Sequence, residues 1–310
     1  MQTVFIGRPT RIPEAHIEQL RIMGVNIYEG PRPSAQELAK IIANAEVLIA
    51  FYNDDLEKVI YDASKLKHFI NTSVGYERLD LERFRQKGVI VSNCPTYNSQ
   101  AVAELALGLL ISVIRKINLA SQDLKSGEWN DEIFAGSEIA GKNVGLVGYG
   151  NIGKIIKRSV EAIGAEAKFV NSKSTPAEVD ELCSWADSLI ICATLNAQTK
   201  HMIDRKRLEL LKSGAVVINI SRGAIIDENA LYKILKTGKI SAGLDVFEFE
   251  PERGRVNQEI LRLAELPNVV ATPHIAYNTE ESGDKLGKEI IANVKAAISG
   301  NPINVVGSKK

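Results

Sequence analysis

The chain has 310 residues, enough for two domains of ordinary size. Hydrophobic residues make up 45% and charged residues 25%, a globular mixture that excludes a disordered or coiled-coil chain. Lys plus Arg and Asp plus Glu number 38 each, so the formal charge is zero and no nucleic acid is expected as a partner.

Three scattered cysteines, Cys94, Cys183 and Cys192, give neither a disulfide framework nor a zinc site, and CxxC and HxxxH are absent, so no metal is expected. The start, MQTVFIGRPTRIPEAH, lacks the basic-then-apolar order of a signal peptide. The longest apolar segment, 101–114, is interrupted by Glu104, Gly108 and Ser112 and is too short to span a bilayer. The expectation is a cytoplasmic protein with no membrane partner.

In chain order, strands are expected at Val4–Ile6, Val25–Tyr28, Val47–Ile49, Lys67–Ile70 and Val89–Val91. Helices are expected at Pro13–Met23, from Ser34, where Glu37 can close a capping box, and at Leu79–Gln86. A near-continuously apolar helix from Val102 to about Leu124 follows, then a loop from Lys125 to Ala140. The pattern then restarts, with strands at Asn143–Val147, Ala167–Val170, Leu189–Cys192, Val216–Ile220, Ser241–Leu244 and Val269–Ala271. Helices come at Asn151–Ile163, from Thr175 with its own Thr-Pro-Ala-Glu start signal, and at Glu281–Ile298. Strands alternating with helices make this an α/β chain of two parallel-sheet units.

Gly148, Tyr149, Gly150, Asn151, Ile152 and Gly153 form GxGxxG directly after a strand and at the opening of a helix, the context that makes this short pattern informative. Gly148 permits the tight turn, Gly150 lets backbone approach a pyrophosphate, and Gly153 allows close helix packing. The ribose-binding position about 20 residues on is Asn171 rather than an acid, followed by Ser172 and Lys173. Without a carboxylate there, a 2′-phosphate meets no repulsion and finds a hydroxyl and a cation, so NADP(H) is preferred and NAD(H) remains possible. Thr194 and Ser221 are expected as further cofactor contacts.

Arg222 follows the strand ending at Ile220, at the ligand edge of an open parallel sheet, and its planar fork suits a carboxylate. His274 follows Pro273 after the last strand; His16, His68 and His201 are assigned structural or surface roles. Glu248 and Glu250 both precede Pro251, and spacing does not choose which of them orients the His274 imidazole. No GxSxG hydrolase elbow occurs.

With these residues in view the chain resembles the D-isomer-specific 2-hydroxyacid dehydrogenases. The likeness rests on NTSVGYERLD at 71–80, NCPTYNSQAVAELALGLL at 93–110, GLVGYGNIG at 145–153, INISRGAIIDENAL at 218–231, AGLDVFEFEP at 242–251 and TPHIAYNTEES at 272–282. It implies two Rossmann-like or flavodoxin-like parallel-sheet domains with an interdomain active-site cleft. Residues 1–99 would form the flavodoxin-like substrate domain, 100–279 the nucleotide-binding Rossmann domain, and 280–310 a tail whose helix returns to the first domain. It also implies that Arg222, His274 and Glu250 are catalytic, with His274 passing the proton and Glu250 holding its ring. Asp245 would contact the nicotinamide carboxamide; the Val74 and Gly75 amides would grip the substrate carboxylate beside Arg222 and His274. A homodimer through the nucleotide-binding domain, along 102–124, is expected.

The segment Ala50-Phe51-Tyr52-Asn53-Asp54 has no cation for a phosphate, which favours small non-phosphorylated 2-oxo acids such as glyoxylate or hydroxypyruvate. Phe51 and Tyr52 would instead suit a bulkier apolar side chain. The other readings are an NAD(H)-dependent D-lactate or branched 2-hydroxyacid dehydrogenase, and a dinucleotide-sensing scaffold or corepressor.

Overall fold

The computed structural model describes residues 2–6, 12–251 and 254–307. The chain divides into two compact units, Met1–Asn98 with Asn278–Lys310, and Ser99–Tyr277.

The first unit is a five-stranded parallel sheet. In chain order it runs β1 (Thr3–Ile6), α1 (Glu14–Ile22), β2 (Val25–Tyr28), α2 (Ala35–Ile42), β3 (Val47–Ala50), α3 (Asp54–Ile60), β4 (His68–Asn71), α4 (Leu81–Gln86) and β5 (Ile90–Ser92). The strand order is β2-β1-β3-β4-β5, with Thr3 opposite both Val25 and Val47, the flavodoxin-like arrangement. Every residue of β1, β3 and β4 is buried, because helices cover both faces. Leu48 and Phe69 face α2, α3 and α4 through Leu38, Leu56 and Phe84. Phe5, Ile49 and Ile70 face the opposite layer. That layer pairs Ile17 and Leu20 of α1 with Leu286, Ile290 and Val294 of the terminal helix Glu280–Ile298, and His16 Nε2 meets Asp284 Oδ1 at 2.7 Å. Ser34 and Glu37 close the expected capping box. Helix α3 is absent from the sequence reading; its start signal is Asn53, whose Oδ1 accepts the Asp55 and Leu56 N–H groups.

The second unit begins with α5 (Ser99–Ile114) and α6 (Ile117–Lys125), where one continuous helix was expected. Two features end α5. Lys116 takes a left-handed backbone, φ +54°, and the Ile114 carbonyl accepts the Ser137 N–H from the returning chain. None of the residues of α6 is buried, so the burial expected for the whole segment belongs to α5. Then come β6 (Asn143–Val147), α7 (Asn151–Ala162), β7 (Glu166–Val170), α8 (Pro176–Trp185), β8 (Ser188–Ile191), α9 (Arg205–Leu210), β9 (Val216–Asn219), α10 (Glu228–Lys236), β10 (Ser241–Leu244), α11 (Gln258–Ala264) and β11 (Val269–Ala271); α12 is the terminal helix of the first unit. The six strands are parallel in the order β11-β10-β9-β8-β6-β7. Alternate side chains serve the two faces. Leu146, Ile190 and Ile218 pack on α5 and α7, while Val147, Leu189, Ile191 and Val217 pack on the layer carrying Leu182, Leu208, Leu231 and Leu263. No helix among the described residues is long and apolar enough to cross a membrane.

His68 lies buried in β4 with Nε2 2.9 Å from Ser92 Oγ. The Ser92 hydroxyl donates its proton to the Ile303 carbonyl, so His68 Nε2 is the donor in their contact. Desolvation lowers the His68 pKa to about 4. A base whose folded pKa is depressed takes up protons preferentially in the unfolded state. Stability should therefore fall as pH drops from about 6.5, the unfolded value, towards about 4. Urea unfolding at pH 7 and pH 5 should show this loss in the parent and a smaller one in His68→Gln.

Candidate active site

The strand β6 ends beside the point where the strand order reverses, the ligand-binding position of open parallel sheets. Gly148 has φ +110°, and a Cβ on it would lie 2.7 Å from the Ala193 nitrogen; one on Gly153 would lie 2.6 Å from the Gly148 carbonyl oxygen. Both positions therefore require glycine, and the turn is held by Gly148 N–H to Val170 O at 2.9 Å. The Cys192 thiol, pushed by burial up to about 12, donates to the Gly148 carbonyl at 3.1 Å. Gly150 is the N-cap of α7 and supplies no side-chain cap, so the amides of the first turn, around Asn151 and Ile152, suit an anion. A dinucleotide pyrophosphate fits this cradle.

Tyr149 stacks on Phe169 near the end of β7, with ring centres 3.7 Å apart and planes at 7°. Two residues further on, Asn171 Oδ1 accepts the Lys173 N–H at 2.9 Å, an Asx turn, and the Asn171 N–H donates to Ser174 Oγ at 3.2 Å. The glycine turn and the Asn171–Lys173 turn thus sit at the ends of paired strands, joined by two aromatic rings.

Arg222 leaves the end of β9 through a turn made by Asn219. The buried Asn219 amide accepts the Ser221 N–H at 3.1 Å and donates to the Arg222 carbonyl at 3.0 Å. The Ser221 hydroxyl donates to the Ala193 carbonyl, tying this turn to the segment after β8. Thr194 follows there, and its carbonyl accepts the Thr199 hydroxyl at 2.7 Å.

His274 follows β11 with a left-handed backbone, φ +51°, a conformation that a non-glycine residue adopts only when its surroundings impose it. Asp245, wholly buried after β10, imposes it. Its carboxylate accepts the Thr272 hydroxyl at 2.6 Å and the Ile275 and Ala276 N–H groups at 2.9 Å each, and its carbonyl accepts the His274 N–H at 2.8 Å. Glu250 Oε2 lies 2.7 Å from His274 Nδ1, and Glu250 Oε1 accepts the Phe247 N–H at 2.9 Å. Glu248 turns elsewhere, with Oε1 3.1 Å from His201 Nε2. Because β9, β10 and β11 are adjacent and parallel, the loops bearing Arg222, Glu250 and His274 leave one edge of the sheet side by side. A carboxylate-backed imidazole there can pass a proton, and the guanidinium can hold an anion.

Sequence reasoning missed Asn219, Thr272 and the structural burden on Asp245. A buried Asn one residue inside a strand end was the available signal for the first. Val74 and Gly75 belong to the first unit, where their carbonyls accept Asn93 Nδ2 at 2.8 Å and Asn71 Nδ2 at 2.9 Å. Tyr52, weighed as a substrate-facing ring, is instead core: it is buried, with its hydroxyl 3.1 Å from that of Tyr61, whereas Phe51 is 56% exposed. Among the described residues no three His, Cys, Asp or Glu side chains gather to hold a metal ion.

The chain is 34% identical over 267 residues to a hydroxypyruvate reductase of Thermotoga maritima, covering 83% of this chain and 86% of that one. It is 33% identical over 326 residues to a glyoxylate reductase of Thermococcus litoralis, covering 97% and 96%. It spans about half the length (52%) of a D-3-phosphoglycerate dehydrogenase of Methanocaldococcus jannaschii, with 36% identity over 281 residues and 86% of this chain covered. Among solved structures, an acyclic imino acid reductase in complex with NADPH and D-Arg superposes with a TM-score of 0.88 at 30% identity, covering 99% of this chain and 100% of that one. Residues 107–276 match the family model described as D-isomer specific 2-hydroxyacid dehydrogenase, NAD binding domain.

Proposed function

The chain belongs to the D-isomer-specific 2-hydroxyacid dehydrogenase family and is an NAD(P)-dependent enzyme of small 2-oxo and 2-hydroxy acids; from that premise we propose that it reduces glyoxylate or hydroxypyruvate and prefers NADP(H) to NAD(H). The observation that carries the catalytic reading is the 2.7 Å contact between His274 Nδ1 and Glu250 Oε2, one strand away from the Arg222 turn. The cofactor, when bound at Gly148–Gly153, supplies the hydride.

Arg222 holds the substrate carboxylate through its fork. Negative charge that develops on the 2-oxo oxygen is met by a proton from His274 Nε2, the ring nitrogen that Glu250 leaves available. In the oxidative direction His274 takes that proton back. Asp245 acts here through the backbone of the 272–276 loop.

Support for NADP(H) comes from the Asn171–Lys173 turn, which presents an amide, a hydroxyl and a lysine where an acid would repel a 2′-phosphate. The relative named with NADPH is consistent with that choice. Support for a small unphosphorylated substrate comes from the start of α3, where Asp54 and Asp55 draw in Arg78 and Arg32, with Arg32 Nη2 3.6 Å from Asp55, so that the cations near this segment already face carboxylates.

A homodimer is proposed through the α5–α6 region of the second unit. There Ile117, Leu124, Trp129 and Ile133 are exposed, Trp129 by 82%, large apolar side chains within one short stretch of sequence that a second copy would cover.

Three outcomes are expected. His274→Ala should lower kcat for glyoxylate by about 100-fold or more while cofactor affinity, read by nicotinamide fluorescence, changes little; equal losses in both would count against proton transfer. Asn171→Asp keeps an oxygen able to accept the Lys173 N–H, so the turn should persist and only the charge change. The ratio of kcat/KM for NADPH over NADH should drop about 10-fold or more, and an unchanged ratio would remove the proposed preference. Light scattering should give twice the 33.9 kDa chain mass.

A further inference from the structure

We propose that Glu228 is a positioning residue for the His274–Glu250 pair, acting by fixing the Phe247–Glu248 peptide from which Glu250 hangs; this rests on the catalytic reading given above. Glu228 opens α10 and is 9% exposed, and the N-cap of that helix is supplied by its neighbour Asp227, which accepts the Ala230 N–H at 3.0 Å. The Glu228 side chain is thus free of the usual task of an acid at a helix start. It crosses to the loop after β10, where Oε1 accepts the Glu248 N–H at 2.6 Å.

The other side of the same peptide is held by contact. A Cβ on Gly223, the residue after Arg222, would lie 2.0 Å from the Phe247 carbonyl carbon and 2.1 Å from the Glu248 nitrogen. The peptide is therefore clamped between the backbone that carries Arg222 and a buried carboxyl. The next hydrogen bonds run directly to the reacting group: the Phe247 N–H fixes Glu250 Oε1, and Glu250 Oε2 meets His274 Nδ1. Releasing the Glu248 N–H would loosen the anchor of Glu250, and with it the direction of the imidazole.

Burial, and after it the nearby carboxylates of Glu248 and Glu250, raise the Glu228 pKa to about 7, against the Glu248 N–H bond and Arg262 of α11, which lower it. His201 reaches this cluster through Glu248. These are the charged and titratable groups facing Glu228 among the described residues. A protonated carboxyl keeps an acceptor oxygen, so the clamp persists on both sides of the titration, and ionisation adds a third negative charge beside Glu250.

Two variants separate position from charge. Glu228→Ala removes the acceptor and should lower kcat at least about 10-fold with KM for glyoxylate nearly unchanged. Glu228→Gln keeps an acceptor that never ionises and should retain kcat within about 3-fold of the parent. The ¹⁵N shifts of the His274 ring, assigned by their loss in His274→Ala, should move in Glu228→Ala and stay in Glu228→Gln. Parental kcat and His274 shifts in Glu228→Ala would overturn the proposal. If that variant does not fold, a loss of kcat of about 10-fold or more in Glu228→Gln, which keeps the acceptor, overturns it. The ring shifts are read without substrate, so absence of glyoxylate turnover in the parent would fail the catalytic reading while leaving the clamp decided by the spectra.

Discussion

A carboxylate taken wholly out of water must be met by donors, and Asp245 finds all three of those seen here in one short loop, 272–276. That requirement bends the chain back over the end of β10 and forces His274 into a left-handed backbone. Much of the second unit's chemistry depends on this arrangement. The imidazole is aimed because its loop cannot relax without stranding a buried charge, and Glu250 then has a fixed ring nitrogen to meet.

The parallel sheet supplies the rest of the geometry. Every strand of the second unit points the same way, so each connection that leaves a carboxyl end contributes to the same rim. The glycine turn, the Asn171 turn, Thr194, Arg222, Glu250 and His274 are far apart in sequence yet follow β6, β7, β8, β9, β10 and β11 in turn. Short polar ties stitch neighbouring loops together: Ser221 to Ala193, Cys192 to Gly148, and Glu228 to Glu248. They order the rim without adding secondary structure.

Features with a local physical cause were legible in the amino-acid order. Runs such as Val47–Ile49 and Val216–Ile220 announce buried parallel strands, Ser34 and Thr175 announce helix starts, and the spacing of Gly148, Gly150 and Gly153 announces a phosphate turn. Features set by tertiary contact were not. Nothing local in Arg115-Lys116-Ile117 marks a break, because α5 ends where a distant segment takes the Ile114 carbonyl. Helix α3 is only seven residues long, too short for a clear apolar period, and its Asn53 cap was the sole cue. Glu248 and Glu250 share one loop, so only geometry tells that one turns to His201 and the other to His274. Tyr52 and Phe51 are neighbours on opposite sides of the backbone, which separates core from surface in a way composition does not express.

The terminal helix α12 closes one face of the sheet built by the first hundred residues. During synthesis those residues emerge with that side covered by α1 alone, and the core around Ile70 stays incomplete until α12 has left the ribosome. The intervening unit is continuous in sequence and can complete its own interior in the meantime. The first hundred residues are thus the part of this chain most dependent on protection from aggregation while translation proceeds.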